Sequence, residues 1–176
     1  MRDPVSKLKL LQFAEELGKA ARGTGCIYLT GGATAVLFGW RETTIDLNLK
    51  LDPEPPGVFE AMARLKDQLG VNVELAAPDD FVPALPGWKE RSQWIDSYGG
   101  IDFYHYDFYG QVLSKVERDL DKDRTDVEWM LRAKLVEPAR LLELFREVEP
   151  QLVRFPAINP VSLRERLERL VERGIP

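Results

Sequence analysis

Two oxygen-bearing side chains stand two positions apart in an apolar stretch of the chain, shortly after a double glycine. Asp46 and Asn48 alternate with the apolar residues of 45–51, and residues two apart on a β-strand point to the same face of a sheet. Gly31 and Gly32 come before them, at the end of another apolar run. Glycines let backbone amides approach a phosphate closely, and Mg²⁺ prefers carboxylate and amide oxygens. The spacing therefore predicts a cation beside a phosphate-bearing ligand.

The elements that would position these groups follow from the periodicity of apolar residues. Because Ile45, Leu47, Leu49 and Leu51 alternate with the polar pair, we expect them to face a core. Strands that are joined through helices favour a mixed sheet of the α/β or α+β class, flanked by helices. The patterns predict helices over 4–22, 33–38 and 57–69, and strands over 26–30, 44–51 and 71–76.

The second half of the sequence changes character after a proline-rich loop. A β-hairpin is predicted from strands over 91–96 and 101–106 around a glycine-containing turn. The rest has helical periodicity. We therefore expect an α/β domain over 1–107 and a helical C-terminal part over 108–176 that packs on it, with helices over 108–119, 123–135, 138–147 and 160–173.

Composition limits the class of protein. The chain has 176 residues and a net charge of −5, which argues against a broad surface that coats nucleic acid. One cysteine, Cys26, cannot form an internal disulfide, and no apolar run approaches the ~20 residues needed to span a bilayer. These features lead us to expect a cytoplasmic protein that does not interact with membranes.

The stretch that contains the double glycine resembles the signature of the nucleotidyltransferase superfamily, which has the polymerase-beta-like fold. It is most similar to the bacterial branch of antitoxin-type nucleotidyltransferases. Gly31 and Gly32 match the family's small-residue pair, and Asp46 matches the first acid of its Asp-x-Asp motif. Asn48 stands where the second acid is expected, and Arg41 fits the branch's Gly-x-Arg-x-Ser/Thr pattern.

The sequence is also similar to an uncharacterised bacterial family of such proteins. The shared runs are Pro83-Ala-Leu-Pro86-Gly-Trp88-Lys-Glu-Arg91-Ser and Asp102-Phe-Tyr-His105-Tyr-Asp107. The resemblance covers roughly residues 25 to 135.

The resemblance implies a Mg²⁺-dependent transfer of a nucleoside monophosphate from an NTP to a hydroxyl of RNA or protein. Asp46, Asn48 and Glu74 would be the metal ligands, with Asp102 as the alternative third acid, and the same three residues together with Lys115 would be the catalytic groups. Asp102 could instead be a hairpin acid that pairs across the strands. Asp46 and Asn48 could likewise be the solvated face of an edge strand.

Further groups would contact the nucleotide. Gly31, Gly32, Thr34 and Arg41 lie in or near the turn that would hold phosphate. A second cluster resembles a Lys, Arg and Asp-x-x-Asp motif of the antitoxin-type branch, which implies triphosphate contact by Lys115 and Arg118, oriented by Asp126. A structural salt-bridge network on a helical hairpin is the alternative interpretation of that cluster.

Because position 48 carries an amide and not a carboxylate, the sequence leaves open whether the protein catalyses the transfer. Loss of one carboxylate weakens the attraction to a cation, so a degenerate member of the fold is the second interpretation. Such a protein would bind nucleotides or proteins without turnover, as an antitoxin-like partner of a toxin or as an adaptor. The candidate partners are an NTP, an RNA or protein acceptor, a toxin, and a second copy of the chain in a homodimer.

Overall fold

The computed structural model describes residues 4–174. The strands are β1 (Val5–Ser6), β2 (Gly25–Thr30), β3 (Thr43–Thr44), β4 (Asp46–Leu51), β5 (Asn72–Leu75), β6 (Gln93–Tyr98) and β7 (Ile101–His105). The helices are α1 (Lys7–Ala20), α2 (Gly32–Phe38), α3 (Val58–Gln68), α4 (Trp88–Arg91), α5 (Phe108–Arg118), α6 (Asp121–Arg132), α7 (Pro138–Val148) and α8 (Pro160–Arg173). Short 3₁₀ segments cover Pro78–Asp80 and Glu149–Arg154.

The chain forms two compact units. The first contains the residues up to Ala77 together with Ser92–Tyr106, and the second contains Pro78–Arg91 together with the residues from Asp107 onward. The proline-rich loop and α4 therefore group with the C-terminal helices, although they come before the hairpin in the sequence.

A mixed five-stranded sheet forms the centre of the first unit, in the order β5-β4-β2-β7-β6. Strand β2 is antiparallel to β4 and parallel to β7, while β4 and β5 are parallel. Strands β6 and β7 form the antiparallel hairpin, which turns at Gly99 and Gly100 and has a bulge between Trp94 and Asp96. The predicted α+β class with a mixed sheet is thus confirmed.

One face of this sheet makes the core of the first unit. Leu29, Leu47 and Leu49 are buried there with Phe13 and Leu17 of α1. Burial of such side chains contributes about 1.5–3 kcal/mol each. The core therefore fixes the register of β2 against β4, and that register sets which polar side chains project from the opposite face.

The expectation that Ile45 faces the core is wrong, because its side chain is 62% exposed. The predicted strand over 44–51 is interrupted at this residue and forms β3 and β4. The hydroxyl of Thr44 donates to the backbone carbonyl of Asp46, which redirects the chain. Alternation becomes regular only from Asp46 onward.

The predicted first helix also begins later than expected. Val5 and Ser6 pair with Thr44 and Thr43 in a small antiparallel sheet. The Ser6 side chain then accepts a hydrogen bond from the Lys9 amide as the N-cap of α1.

The second unit is a group of helices. Asp107 caps α5 by accepting from the Tyr109 amide, and it also accepts two hydrogen bonds from the Arg91 guanidinium. Helix α6 starts two residues before the predicted position, since the Leu120 carbonyl accepts from the amides of Asp123 and Arg124. The buried side chains of α7 and α8 include Leu141, Phe145, Leu163 and Leu167.

Candidate functional site

Polar side chains from two neighbouring strands meet on the face of the sheet opposite the core. Asp46 lies directly opposite Asn72, and Asn48 lies directly opposite Glu74, because β4 and β5 are parallel and in register. Residues in register across a ladder project to the same side. Thr30, the last residue of β2, faces Asn48 from the other neighbouring strand.

An amide joins the two carboxylates of this cluster. The Nδ2 atom of Asn72 donates to Oδ1 of Asp46 at 2.7 Å and to Oε1 of Glu74 at 3.2 Å. Both carboxylates are therefore held around one donor group. Asn72 was not a candidate in the sequence analysis, although its spacing of two from Glu74 repeats the spacing of Asp46 and Asn48 and is the signal that could have identified it.

The cluster is accessible to solvent. Glu74 is exposed, and Asp46, Asn48 and Asn72 are partly buried. Across residues 4–174, no three or more His, Cys, Asp or Glu side chains are grouped so that they could hold a metal ion. The donor set available here is consequently two carboxylates with two amides, rather than a cage of acids.

The glycine turn adjoins this cluster. Gly31 has φ 59° and ψ −123°, a conformation that side-chain-bearing residues rarely adopt. A Cβ atom on Gly31 would lie 3.7 Å from Nδ2 of Asn48. A Cβ atom on Gly32 would lie only 2.0 Å from the Thr44 hydroxyl. The backbone conformation thus requires glycine at position 31, whereas packing against Thr44 requires it at position 32, and the turn lies beside Asn48.

Thr34 points into the core. Its side chain is fully buried, its hydroxyl donates to the Leu29 carbonyl, and its Oγ1 lies 3.2 Å from Nδ1 of His105. Burial lowers the pKa of His105 to about 4. The structure therefore joins Thr34 to a buried histidine and does not bring its hydroxyl to the polar cluster.

The two candidates for the third acid occupy different places. Glu74 neighbours Asn48, whereas Asp102 lies opposite Cys26, at the other end of β2 from Thr30. Four residues along a strand span roughly 13 Å. Asp102 instead accepts a hydrogen bond from the Ser97 hydroxyl, across the hairpin. The structure brings Glu74, and not Asp102, beside Asp46.

Arg41 follows α2 and is partly buried. Its contact with a phosphate stays a prediction.

The basic cluster of the helical unit is a buried ion-pair network. Nζ of Lys115 lies 2.7 Å from Oδ2 of Asp126 and 3.4 Å from Oδ1 of Asp123, and both acids are almost completely buried. Arg118 binds Asp123 through two nitrogens. Burial would raise the pKa of Asp123, but hydrogen bonds from Arg118 and the charge of Lys115 hold that pKa below its usual value. Asp126 therefore lies beside Lys115, as the sequence predicts.

Comparison with known proteins gives no match to a protein-family model, a curated protein or a solved structure. Among the residues described, no helix is both long enough and apolar enough to cross a bilayer.

Proposed function

We propose that the protein is a nucleotidyltransferase that moves a nucleoside monophosphate from an NTP to a hydroxyl of RNA or protein. One observation supports this most directly. The Asp46 and Glu74 carboxylates converge on the Asn72 amide, beside a glycine turn that leads from a buried strand into a short helix. This is the arrangement that the resemblance to the nucleotidyltransferase signature implies for metal and phosphate.

The donor set suits Mg²⁺ that arrives with a nucleotide. Mg²⁺ is commonly bound through one or two carboxylates, while substrate phosphates and waters complete an octahedral shell. Asp46 and Glu74 would hold the ion, and Asn48 would add an amide oxygen. When bound, Mg²⁺ neutralises the triphosphate and lowers the pKa of the attacking hydroxyl.

The chain's own residues have separate tasks in this proposal. Asn72 positions the two carboxylates through its paired hydrogen bonds. Gly31 allows the triphosphate to approach the backbone, while Gly32 is occupied by its packing against Thr44. Arg41 supplies a guanidinium for a phosphate oxygen.

The motif of Lys115, Arg118 and Asp126 fits a structural task better. A triphosphate would have to displace buried carboxylates from Lys115, and breaking a buried ion pair is costly. The proposal therefore assigns catalysis to the sheet and leaves this network to the stability of the helical unit.

A second candidate is a nucleotide-binding module without turnover, such as an antitoxin-like partner in a toxin–antitoxin pair. Two features favour it. Asn48 stands where a second acid would strengthen the metal site, and the Asn72 amide lies between the two acids that remain. Either candidate fits a cytoplasmic protein with one cysteine.

A label-transfer experiment separates the two candidates. The protein is incubated with Mg²⁺, RNA or a protein extract, and NTPs labelled at either the α- or the γ-phosphate. The proposal predicts that label passes to the acceptor from the α-position only, and that Asp46→Ala and Glu74→Gln abolish transfer. Asp102→Asn, which changes an acid distant from the cluster, serves as the matched control and should retain transfer.

Nucleotide binding without any transfer would favour the module. Transfer of the γ-label, or transfer that persists in Asp46→Ala, would contradict the proposal.

A further inference from the structure

A cavity of about 450 Å³ lies within the helical unit, lined by residues of α5, α6 and α8. Its lining includes four arginines, against two acids, Asp119 and Glu128; Lys115 also lines it, but its charge is already offset by the buried carboxylates of Asp123 and Asp126. This basic excess contrasts with the net charge of −5 of the whole chain. A volume of several hundred Å³ is typical of sites for small molecules, and the charge balance favours an anion.

Two of the four arginines are already hydrogen-bonded to other groups around the cavity. Arg124 donates to Asp119 at 2.8 Å. Arg166 donates to the backbone carbonyls of Val116 and Glu117 at the end of α5. These two guanidiniums already have partners, and they fix α6 and α8 in relation to the end of α5.

The other two arginines have no such partners. Arg169 and Arg173 are exposed residues one turn apart on α8. Neither guanidinium makes a hydrogen bond or an ion pair with any residue of the range 4–174. The Arg124 hydrogen bond lowers the pKa of the Asp119 carboxyl, and the charge of Arg169 nevertheless adds to that lowering. Like charges four residues apart on a helix repel each other. Because buried Leu163 and Leu167 anchor α8, the two charges stay on one side of the cavity.

The remaining surface of the cavity is apolar. Val127 and Leu131 of α6 and Leu170 of α8 line it, and none of its lining residues within 4–174 is aromatic. Guanidinium groups bind phosphate oxygens bidentately, and four residues of helix rise about 6 Å, so that both can reach one diphosphate. The organic part of such a diphosphate, if aliphatic, would contact these apolar side chains.

We propose that this cavity binds a small organic diphosphate, with the diphosphate at Arg169 and Arg173 and the organic part on Val127, Leu131 and Leu170. The site is separate from the proposed nucleotidyl transfer, since all its lining residues belong to the helical unit and its cationic groups need no metal.

The test is calorimetric titration of the full chain in EDTA with three probes: inorganic pyrophosphate, ADP and geranyl diphosphate. Saturable binding is expected, with an organic diphosphate bound more tightly than pyrophosphate. Arg169→Gln/Arg173→Gln should weaken binding at least tenfold. The matched control, Arg146→Gln/Arg154→Gln, removes the same charge from exposed positions outside the cavity and should change affinity less than twofold.

Three results would overturn the inference. They are no saturable binding of either organic probe, equal loss in both double variants, or pyrophosphate bound as tightly as the organic diphosphates. Asp46→Ala is titrated in parallel, and it should bind the probes like the wild type. Loss of binding in Asp46→Ala would assign the ligand to the sheet and not to the cavity.

Discussion

The Nδ2 atom of Asn72 lies 2.7 Å from Oδ1 of Asp46, across two neighbouring parallel strands. The same nitrogen lies 3.2 Å from the carboxylate of Glu74. An amide donor thus occupies the place between two acids, where it offsets their mutual repulsion. A cation that binds to these acids would take over this role of the amide.

Replacing Asn72 with Asp should make stability depend on Mg²⁺. Three carboxylates would then converge, so we expect the free energy of unfolding in EDTA to fall by about 1–3 kcal/mol, in the range for a lost hydrogen bond with an added like charge. Saturating Mg²⁺ should restore most of the loss. Urea unfolding with and without the metal measures both values.

Asn72→Leu is the matched control, because it removes the same hydrogen bonds without adding a charge. It should be destabilised and gain less from Mg²⁺ than Asn72→Asp does. Equal responses of the two variants to Mg²⁺ would argue that no cation binds between Asp46 and Glu74.

Asn48→Asp should raise the affinity for Mg²⁺ at least tenfold. The substitution supplies a carboxylate on the strand position next to Glu74, and a third negative charge beside Asp46 and Glu74 strengthens attraction to a divalent cation. Titration calorimetry measures the affinity, and Asp102→Asn should leave it unchanged, since Asp102 pairs with Ser97. An unchanged affinity in Asn48→Asp would count against a metal site at this end of the sheet.

Lys115→Met should destabilise the fold by about 3–5 kcal/mol, because it leaves the buried carboxylate of Asp126 without its cation. Urea unfolding is the measurement. Arg140→Gln breaks an exposed pair with Glu143 and should cost less than about 1 kcal/mol. If Lys115 instead serves a triphosphate, Lys115→Met will unfold like the wild type and lose affinity for NTPs.

The buried His105 should make stability fall as the medium becomes more acidic. Burial lowers its pKa from the ordinary 6.5 to about 4, so below pH 6.5 the unfolded chain takes up a proton that the folded protein does not. This destabilisation is absent above about pH 7, and at pH 5 it lowers the free energy of unfolding by about 2 kcal/mol.

His105→Asn removes this titration while keeping a polar group near Thr34. Urea unfolding of both proteins at pH 7.5 and pH 5 should show the extra loss in the wild type only. Parallel pH dependence in the two proteins would contradict a neutral, buried His105.

The sequence was sufficient to predict the strands and helices that frame the site. Alternation over 46–51 and the glycines at 31 and 32 depend on local geometry, and the observed β2, α2 and β4 follow them closely. The exposure of Ile45 was not predictable in this way, because the strand breaks there: Thr44 pairs with Val5, nearly forty residues away, and bonds to the Asp46 carbonyl, whereas Asp46 pairs in the larger sheet.

Which residues form the site depends on the register of the paired strands, and no local sequence pattern specifies that register. The pairing of β4 with β5 puts Asn72 between Asp46 and Glu74, and the pairing of β2 with β7 puts Asp102 opposite Cys26. Thr34 looked suited to a phosphate from its place after the glycines, but the helical turn directs its hydroxyl to His105 in the core.

The most direct test of a metal–nucleotide site at Asp46 and Glu74 is calorimetric titration of the protein with ATP, CTP, GTP and UTP, each with and without Mg²⁺. We predict saturable binding of at least one NTP that requires Mg²⁺ and is lost in Asp46→Ala and in Glu74→Gln. No binding of any NTP, or binding that is unchanged in both variants, would contradict the account.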